Sequence, residues 1–443
     1  MDKKLKVPHV WALGVGIVLV GEFMGWNSSI KIGGTTGALI GIPIIALMYL
    51  MIVFMTSEMA NIIPGSGGQY AMANHLLGPL GGFNVGLMMF MQYSMLEAAD
   101  ALVVGQLLKS IIPDVQVIPF LILTVLALTY VNYHGTYGTL TLNLVITVIA
   151  FAGVLILLFS TKFYSPHDSL IRLSEYSNGL PFGKLGIFAA LQFSCWFFLG
   201  IEGTAMVTDE CENPKKTLPL GAIIGLITLC IGGIATWFIC SGMIPADKLS
   251  DSVYPLYESA VNTGKPVVAA ILFVCTMLSC IASANGCISD SAKALYVMSR
   301  DGMLPELFGT THPKFKSPYR ALVCLTPVPI IFATTGMLDQ IVSFSIFSAL
   351  MVYTLTCIMM LRARKLYPLD IVKHGFVCPG HPVIEVICLI LIVCALFGMF
   401  LNYSKSMFAV TIFYLVSSLW FIKRREKFVK VDEVLNAQIG YHE

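Results

Sequence analysis

The chain has 443 residues, of which 57% are hydrophobic and only 12% are charged. Soluble proteins carry about 25% charged residues, so this composition excludes a soluble globular protein and indicates an integral membrane protein. The 27 lysines and arginines nearly balance the 25 aspartates and glutamates, which leaves no global field for a nucleic-acid partner. At about 20 apolar residues per transmembrane helix, the length accommodates about twelve helices.

The first predicted span begins after His9, behind a short basic N-terminus. A cleaved signal peptide is not expected, because Gly21-Glu22 stands where a small-residue cleavage site would be needed. Four glycines and one carboxylate interrupt this apolar run at roughly mid-membrane depth. Glycine is about 1 kcal/mol less favourable than alanine in a helix, so we predict that the first span unwinds within residues 14–27.

Eleven further apolar runs predict the remaining spans. In chain order they are residues 32–57, 83–96, 115–131, 135–161, 185–201, 217–246, 266–289, 321–338, 340–361, 386–404 and 406–422. The end of the sixth span and the residues directly after it carry Gly200, Glu202 and Gly203, which repeats the combination of glycine and carboxylate in the first span. Because unwound backbone in a bilayer must be buried by protein or line a wet cavity, we predict a second broken helix here.

Two broken spans, five helices apart, indicate two inverted repeats of five helices with a binding site between them. The corresponding division is an N-terminal tail (1–8), a first repeat (9–161), a second repeat (184–361), two further helices (381–422) and a C-terminal tail (423–443). Lysines and arginines concentrate on the side of both tails, so both termini are predicted to be cytoplasmic and the protein to lie in the plasma membrane. The predicted fold class is an all-α integral membrane protein.

Three sequence elements carry a resemblance to a known superfamily. Residues 58–70 (E-M-A-N-I-I-P-G-S-G-G-Q-Y) are similar to its pattern E-L-x-x-x-x-P-x-S-G-G-x-Y, and residues 210–219 (E-C-E-N-P-K-K-T-L-P) to E-x-x-N-P-x-R-x-[IL]-P. The third element, residues 293–305, closes span eight. In this order they resemble the amino acid, polyamine and organocation transporters. Residues 21–27 (G-E-F-M-G-W-N) are similar to the G-D-F-F-G-W-N of ethanolamine permeases in that superfamily.

The resemblance implies a secondary transporter that works by alternating access, with its substrate between the two broken helices. The substrate-binding candidates on and near the breaks are Gly21, Glu22, Phe23, Gly25, Tyr93, Glu97, Trp196, Phe198, Gly200 and Glu202. Trp196 resembles a gating aromatic of related exchangers, and Glu202 resembles an acidic residue that couples the gates. The alternatives are ordinary packing for Trp196 and, for Glu202, a hydrogen bond to the free amides of the break.

Glu22 determines the predicted charge of the substrate. The free amides of a broken helix attract an anion such as the carboxylate of an amino acid. A carboxylate already fixed in the break repels a second one and offers a counter-ion to an ammonium group. Because an unpaired ionised glutamate costs at least about 2.5 kcal/mol at this depth, we expect a bound amine to supply the partner. The alternative is that local backbone amides hold Glu22 as a structural element.

Two further pairs of charged residues lie three positions apart on predicted helices. Glu97 and Asp100 in span three cannot both ionise easily in a low dielectric, so one of them could bind substrate or carry an exchangeable proton. Alternatively, both face water near the outer end of the span. Asp290 and Lys293 are predicted to pair with each other near the cytoplasmic mouth, as part of the structure.

The sequence leaves the coupling ion open between proton and sodium. Sodium-coupled relatives of this fold hold the ion between the backbone of span one and hydroxyls of span eight, where Ser279 and Ser283 are the candidates. Some proton-coupled members use a lysine in span five, but Ala150 occupies the aligned position here. The membrane potential alone supplies about 2.3 kcal/mol per 100 mV to a transported unit charge.

We predict import of a small organic cation such as ethanolamine across the lipid bilayer, with no cofactor, metal site or nucleic-acid partner. The twelve cysteines contain no C-x-x-C pair, and no phosphate-binding loop or nucleophile–base pair occurs, which argues against an enzyme. An amino acid permease or exchanger of the same fold is the nearest alternative. The alternative from another class is a membrane sensor with a transporter fold.

Overall fold

A computed structural model of the chain describes residues 4–63, 67–161, 183–367 and 375–424. Most of the predicted C-terminal tail, and residues 64–66 of the first signature element, lie outside these ranges. Within them the protein is helical and has no β-strand. The single β-type contact of the described part is an isolated parallel bridge between Leu5 and Cys211.

The described α-helices are labelled in chain order. They are α1 (Val7–Met24), α2 (Trp26–Ile62), α3 (Gly68–Ile111), α4 (Val117–Tyr133), α5 (Thr136–Ser160), α6 (Gly186–Trp196), α7 (Pro214–Met243), α8 (Ala246–Asp251), α9 (Pro255–Asn262), α10 (Pro266–Arg300), α11 (Tyr319–Leu325), α12 (Pro327–Thr334), α13 (Leu338–Leu366) and α14 (Val383–Arg424). Three 3-10 segments, Gly183–Leu185, Ile201–Glu210 and Glu306–Gly309, complete the described elements.

The outside of the bundle is suited to a lipid environment. Nine segments of the described chain are long and apolar enough to cross a membrane, one of them Gly186–Glu210 taken across its break, and Val117–Tyr133 and Tyr319–Thr334 are shorter apolar stretches. Large apolar side chains point outward, with Phe159 78% exposed and Phe408 66% exposed. An extended apolar surface of this kind matches hydrocarbon better than water. The all-α membrane class is thereby confirmed, whereas the number of twelve helices stays a prediction.

Three of the long helices are interrupted internally. Gly34 (φ 68°) interrupts α2 and Gly78 (φ 78°) interrupts α3, in a backbone conformation that side chains disfavour. Tyr403 (φ −132°) interrupts α14. The predicted span 83–96 therefore lies in the longer part of α3, after Gly78.

The sixth span breaks where the sequence predicts. α6 ends at Trp196, a short turn follows, and Gly200 adopts φ 109° before the chain continues as the 3-10 segment Ile201–Glu210. A side chain at such a φ would be strained, so glycine is required for the change of direction. The break is buried, as protein structure at membrane depth demands.

The first span differs from the prediction. α1 ends at Met24 and α2 begins at Trp26, so only Gly25 separates them. Gly25 keeps a helical backbone (φ −80°, ψ −4°), its N–H donates to Gly21 O at 2.7 Å, and its carbonyl accepts from Ser29 N at 3.3 Å. The helical hydrogen bonds therefore continue through this segment, and the predicted unwinding of the first span is wrong: α1 and α2 meet at Gly25 without a break in the backbone hydrogen bonds.

α1 is a central helix of the bundle. It packs against α5, α7, α10 and the 3-10 segment Ile201–Glu210, and every residue from Ala12 to Met24 is buried. α3 packs chiefly against α10 and α13. Polar groups on α1, α3, α10 and the broken sixth span are consequently enclosed by protein.

Gly200→Ala should destabilise the break. At φ 109° an alanine is strained by about 1–2 kcal/mol, and its Cβ would overlap the Ile17 side chain on α1. We expect a lower apparent melting temperature of the purified protein in detergent. Gly336→Ala is the matched control, because Gly336 also has a positive φ (71°) but nothing lies within 4 Å of an added Cβ. Equal effects of the two substitutions would contradict a cost from the contact with Ile17.

Candidate substrate site

Glu22 lies at the interface between α1 and α7. Its side chain is 0% exposed, and neither carboxylate oxygen has a hydrogen-bond partner among the described residues. The carboxylate faces Gly232 of α7, where an added Cβ would overlap Oε2 and lie 3.1 Å from Cδ. No backbone amide of the described residues donates to this carboxylate, which contradicts the alternative that local backbone amides hold it.

Gly21 and Gly25 allow α1 to approach the end of α6 closely. A Cβ at Gly21 would lie 2.5 Å from the carbonyl oxygen of Trp196, and one at Gly25 would lie 3.0 Å from Phe197 Cε1. Trp196 is 2% exposed and its indole Nε1 has no partner within the described part of the chain. The two predicted site glycines thus bring helix one and the break together.

The aromatic residues around the break are in contact with one another. The Trp26 ring stacks on Phe197 with centroids 4.4 Å apart, and its Nε1 donates to Thr236 Oγ1 at 3.1 Å. The Phe198 ring lies 5.8 Å from that of Tyr49. Phe23, like Phe197 and Phe198, is 0% exposed. This layer closes the interior of the break to water in the conformation described.

Glu202 forms hydrogen bonds at the break of the sixth span, where it is located. Its Oε2 accepts a hydrogen bond from Gly200 N at 3.2 Å, and its Oε1 accepts one from Gln92 Nε2 at 2.5 Å. The hydroxyls of Tyr49 and Tyr353, 3.3 Å apart, lie nearby. Hydrogen bonds to a carboxylate are stronger than those between neutral groups. Glu202 therefore stabilises the turn at Gly200.

Glu97 and Asp100 are enclosed between α3 and α10. Both side chains are 0% exposed, which excludes the alternative that they face water at the outer end of the span. Among the described residues, none of their four carboxylate oxygens has a hydrogen-bond partner. The Cys287 thiol lies near both, and a 2.9 Å hydrogen bond between Ser94 and Ser291 joins the same two helices.

The predicted pair of Asp290 and Lys293 does not form. Lys293 Nζ instead contacts Glu210 at 2.8 and 3.0 Å, at the end of the broken sixth span. Asp290 remains fully buried, and its oxygens have no hydrogen-bond partner in the described ranges. Helix periodicity placed the two residues on one face correctly, but Glu210, from another element, competes successfully for the lysine.

The predicted ion-site hydroxyls lie between α1 and α10. Ser283 Oγ donates to Ile17 O on α1 at 2.7 Å and lies close to Asp100. Ser279 Oγ is fully buried and has no partner among the described residues. Both candidate hydroxyls are thus on α10, and the candidate carboxylate beside Ser283 belongs to α3.

The structure separates the predicted site residues into two groups. Glu22 faces α7, whereas the carboxylates of α3, α10 and the broken span lie together on another side: Glu97, Asp100, Glu202 and Asp290. Sequence reasoning missed Gly232, which adjoins Glu22, and Tyr353, which lies beside Glu202. The glycine pair at 232–233 inside an apolar span was the available signal for a close approach.

A comparison with known protein families identifies the family to which the chain belongs. The model of the family described as "Amino acid permease" matches residues 9–427. The chain belongs to the amino acid permease family. It is 44% identical to an uncharacterized transporter of Rhizobium meliloti over 95% of this chain and 92% of the relative. It is 24% identical to a branched-chain amino acid permease of Bacillus subtilis, over 88% of each chain.

Further relatives carry other substrate names. A methylthioribose transporter of Bacillus subtilis is 25% identical over 85% of this chain and 84% of its own. A gamma-aminobutyric acid permease of Escherichia coli is 24% identical over 82% of this chain and 80% of its own. This permease-family chain is accordingly a multi-pass membrane transporter and not an enzyme.

The signature elements of this family member contact one another. Tyr70 from the first element donates to Asp301 Oδ2 in the third at 2.7 Å, and Asn74 donates to the same oxygen at 3.2 Å. Burial raises the pKa of Asp301, and these two hydrogen bonds partly oppose the rise. Glu210 of the second element pairs with Lys293 of the third. The motifs that identify the permease thus tie its helices together near the end of the broken span.

A buried ion pair anchors the first signature element. Arg364 Nε lies 2.6 Å from Glu58 Oε1, and Arg364 Nη2 donates to Oε2 at 2.8 Å. The backbone N–H of Cys378 donates to the same Oε2 at 2.5 Å. The glutamate therefore links α2, α13 and the segment before α14.

The N-terminal segment of the permease is joined to the end of the broken span. Leu5 N donates to Glu210 O at 2.8 Å, and Glu212 N donates to Leu5 O at 3.0 Å. Lys4 Nζ donates to Asp209 O at 3.0 Å. Movement of the 3-10 segment away from α1 must break these bonds.

Proposed function

We propose that the chain is a secondary transporter that imports a small organic amine cation, such as ethanolamine, by alternating access. The observation that carries the proposal is Glu22, a fully buried carboxylate on a central helix without a hydrogen-bond partner among the described residues. An ionised carboxylate in this position requires a positive partner. A transported ammonium supplies that partner, and its departure restores the unpaired state.

The other buried carboxylates support a cationic substrate. Glu97, Asp100 and Asp290 also have oxygens without partners within the described residues. Lys293, the nearby buried cation, already pairs with Glu210. A second carboxylate brought in by an amino acid would add repulsion to this interior, whereas a simple amine relieves it.

The remaining features of the proposed cycle concern gating and coupling. Trp196 and Glu202 act as the gate at the break, and Gly21, Phe23, Gly25, Tyr93, Phe198 and Gly200 shape the substrate path. Ser279 and Ser283 are the candidate ion ligands, for coupling to sodium, while Glu97 is the candidate for a proton. Both termini face the cytoplasm of the cell, so import draws on the negative interior potential.

An amino acid permease is the alternative function. The names of two relatives, the branched-chain amino acid permease and the gamma-aminobutyric acid permease, favour it. In that case Glu22 stays protonated and does not meet the substrate.

Uptake of labelled ethanolamine into proteoliposomes tests the proposal. With an inside-negative potential, we expect saturable uptake that choline or putrescine reduces and neutral amino acids do not. Collapse of the potential should lower the uptake, because about 2.3 kcal/mol per 100 mV is then lost from the driving force on the cation. Competition by neutral amino acids alone, with no ethanolamine uptake, would establish the alternative.

A further inference from the structure

Asp290 of α10 is a buried acid that the proposed function does not yet use. Its side chain is 0% exposed, and neither oxygen has a hydrogen-bond partner among the described residues. Lys293 interacts with it electrostatically, but the lysine Nζ is bound by both oxygens of Glu210 and also contacts Met206 O. Because an enclosed carboxylate without a donor is costly, a further partner is expected at Asp290.

The hydroxyl of Tyr93 points to the same place. A Cβ added at Gly203 would lie 3.0 Å from Tyr93 Oη and would overlap Asp290 Oδ2. Tyr93 is 0% exposed, and its hydroxyl has no partner in the part of the chain that the structure describes. Two unsatisfied polar side chains from α3 and α10 thus converge beside a glycine of the broken sixth span.

This place is separate from Glu22. Gly21, next to Glu22, contacts Trp196 at the beginning of the break, whereas Gly203 follows the break. Glu22 faces α7, and Asp290 and Tyr93 lie on α10 and α3. The two carboxylates therefore flank opposite ends of the break.

We propose that Asp290 and Tyr93 form a second binding site for the primary ammonium group of the transported amine, on the side of the break that leads to Glu210. The inference rests on the proposed function, since it assumes that the cargo is an amine. Two carboxylate oxygens and one phenolic oxygen match the three N–H donors of a primary ammonium. Glu202, which interacts electrostatically with both side chains, adds a further negative charge.

A primary ammonium fits this site better than a divalent metal. Metal ions of that kind require several ligands from carboxylate, imidazole or thiolate groups. Within the described residues, no group of three or more histidines, cysteines, aspartates and glutamates is arranged to hold a metal. Two anionic sites along the path also mean that the transported amine does not have to bind very tightly at one site.

The test is equilibrium binding of labelled ethanolamine to the purified full-length permease. We expect two molecules per chain for the wild type and one for Asp290→Asn. Asp114→Asn is the matched control, because Asp114 is exposed, and it should still bind two. One molecule bound by the wild type, or two by Asp290→Asn, would overturn the second site. Absence of any binding by the wild type would instead overturn the proposed function, and the second site with it.

Smaller changes separate binding from misfolding. Tyr93→Phe removes only the hydroxyl and should weaken the second binding event by about tenfold, whereas Tyr130→Phe on exposed α4 should leave it unchanged. Gly203→Ala should eliminate the second event, and Gly233→Ala, whose Cβ would meet only Ile42 Cγ2 at 3.9 Å, should not.

If Asp290→Asn still bound two ethanolamine molecules but lost sodium- or proton-dependence of uptake, the site would hold the coupling cation and the inference would fail.

Discussion

Glu22→Gln should reduce ethanolamine uptake by about 10- to 100-fold, which corresponds to loss of one charge-assisted hydrogen bond of about 1.5–3 kcal/mol. The substitution preserves size and removes only the charge. Since the carboxylate has no hydrogen-bond partner among the described residues, no protein contact is broken and the fold should be retained. Initial rates in proteoliposomes, with matched protein incorporation, measure the effect. Unchanged uptake would show that Glu22 does not pair with the cargo.

Two neighbouring glycines provide a control that leaves Glu22 in place. A Cβ at Gly232 would overlap the Glu22 carboxylate, whereas a Cβ at Gly233 would have Ile42 Cγ2 at 3.9 Å as its nearest neighbour. Gly232→Ala should therefore impair uptake by displacing the carboxylate. Gly233→Ala should leave uptake unchanged and improve helix stability by up to about 1 kcal/mol. Similar uptake in both variants would contradict the orientation of Glu22 toward α7.

Arg364→Ala should be among the most destabilising single substitutions in the protein. The Arg364 side chain is 8% exposed and that of Glu58 is 0%, so removal of the arginine leaves an uncompensated buried charge. Such a change typically costs about 3–5 kcal/mol. Thermal unfolding of the purified protein in detergent should show a large decrease in the apparent melting temperature.

A second substitution distinguishes charge from packing. Adding Glu58→Gln to Arg364→Ala removes the unpaired charge and should restore part of the lost stability. Arg362→Ala, at an exposed position of the same helix, is the matched control and should have little effect. No recovery in the double variant would mean that the arginine acts mainly through packing.

The broken helices show what sequence can and cannot predict. Glycine beside a carboxylate predicted a break in both the first and the sixth span, but only Gly200 adopts a conformation that requires glycine. In α1 the same residue type serves close packing, because Gly21 adjoins the carbonyl of Trp196. A low helix propensity indicates where a helix can unwind. Packing against the neighbouring element determines whether it does.

Side-chain partners were the part least accessible from the sequence. Regular helix spacing placed Glu97 with Asp100 on one face, and apolar flanks indicated that such acids belong inside a span. It could not reveal that Lys293 prefers Glu210 over Asp290, because that choice depends on how the broken span docks against α10. Nor could it reveal that Glu22 faces α7, which depends on the missing side chain at Gly232.

The bridge between Leu5 and the segment around Cys211 consists of main-chain atoms alone. Its two hydrogen bonds would survive almost any replacement at positions 5, 210 and 212 other than proline at a donor. Evolutionary comparison would thus find no covarying pair there, and an alanine scan would report nothing about these bonds. The side chains at these positions are instead constrained by other contacts, Leu5 and Cys211 by burial and Glu210 by its pair with Lys293.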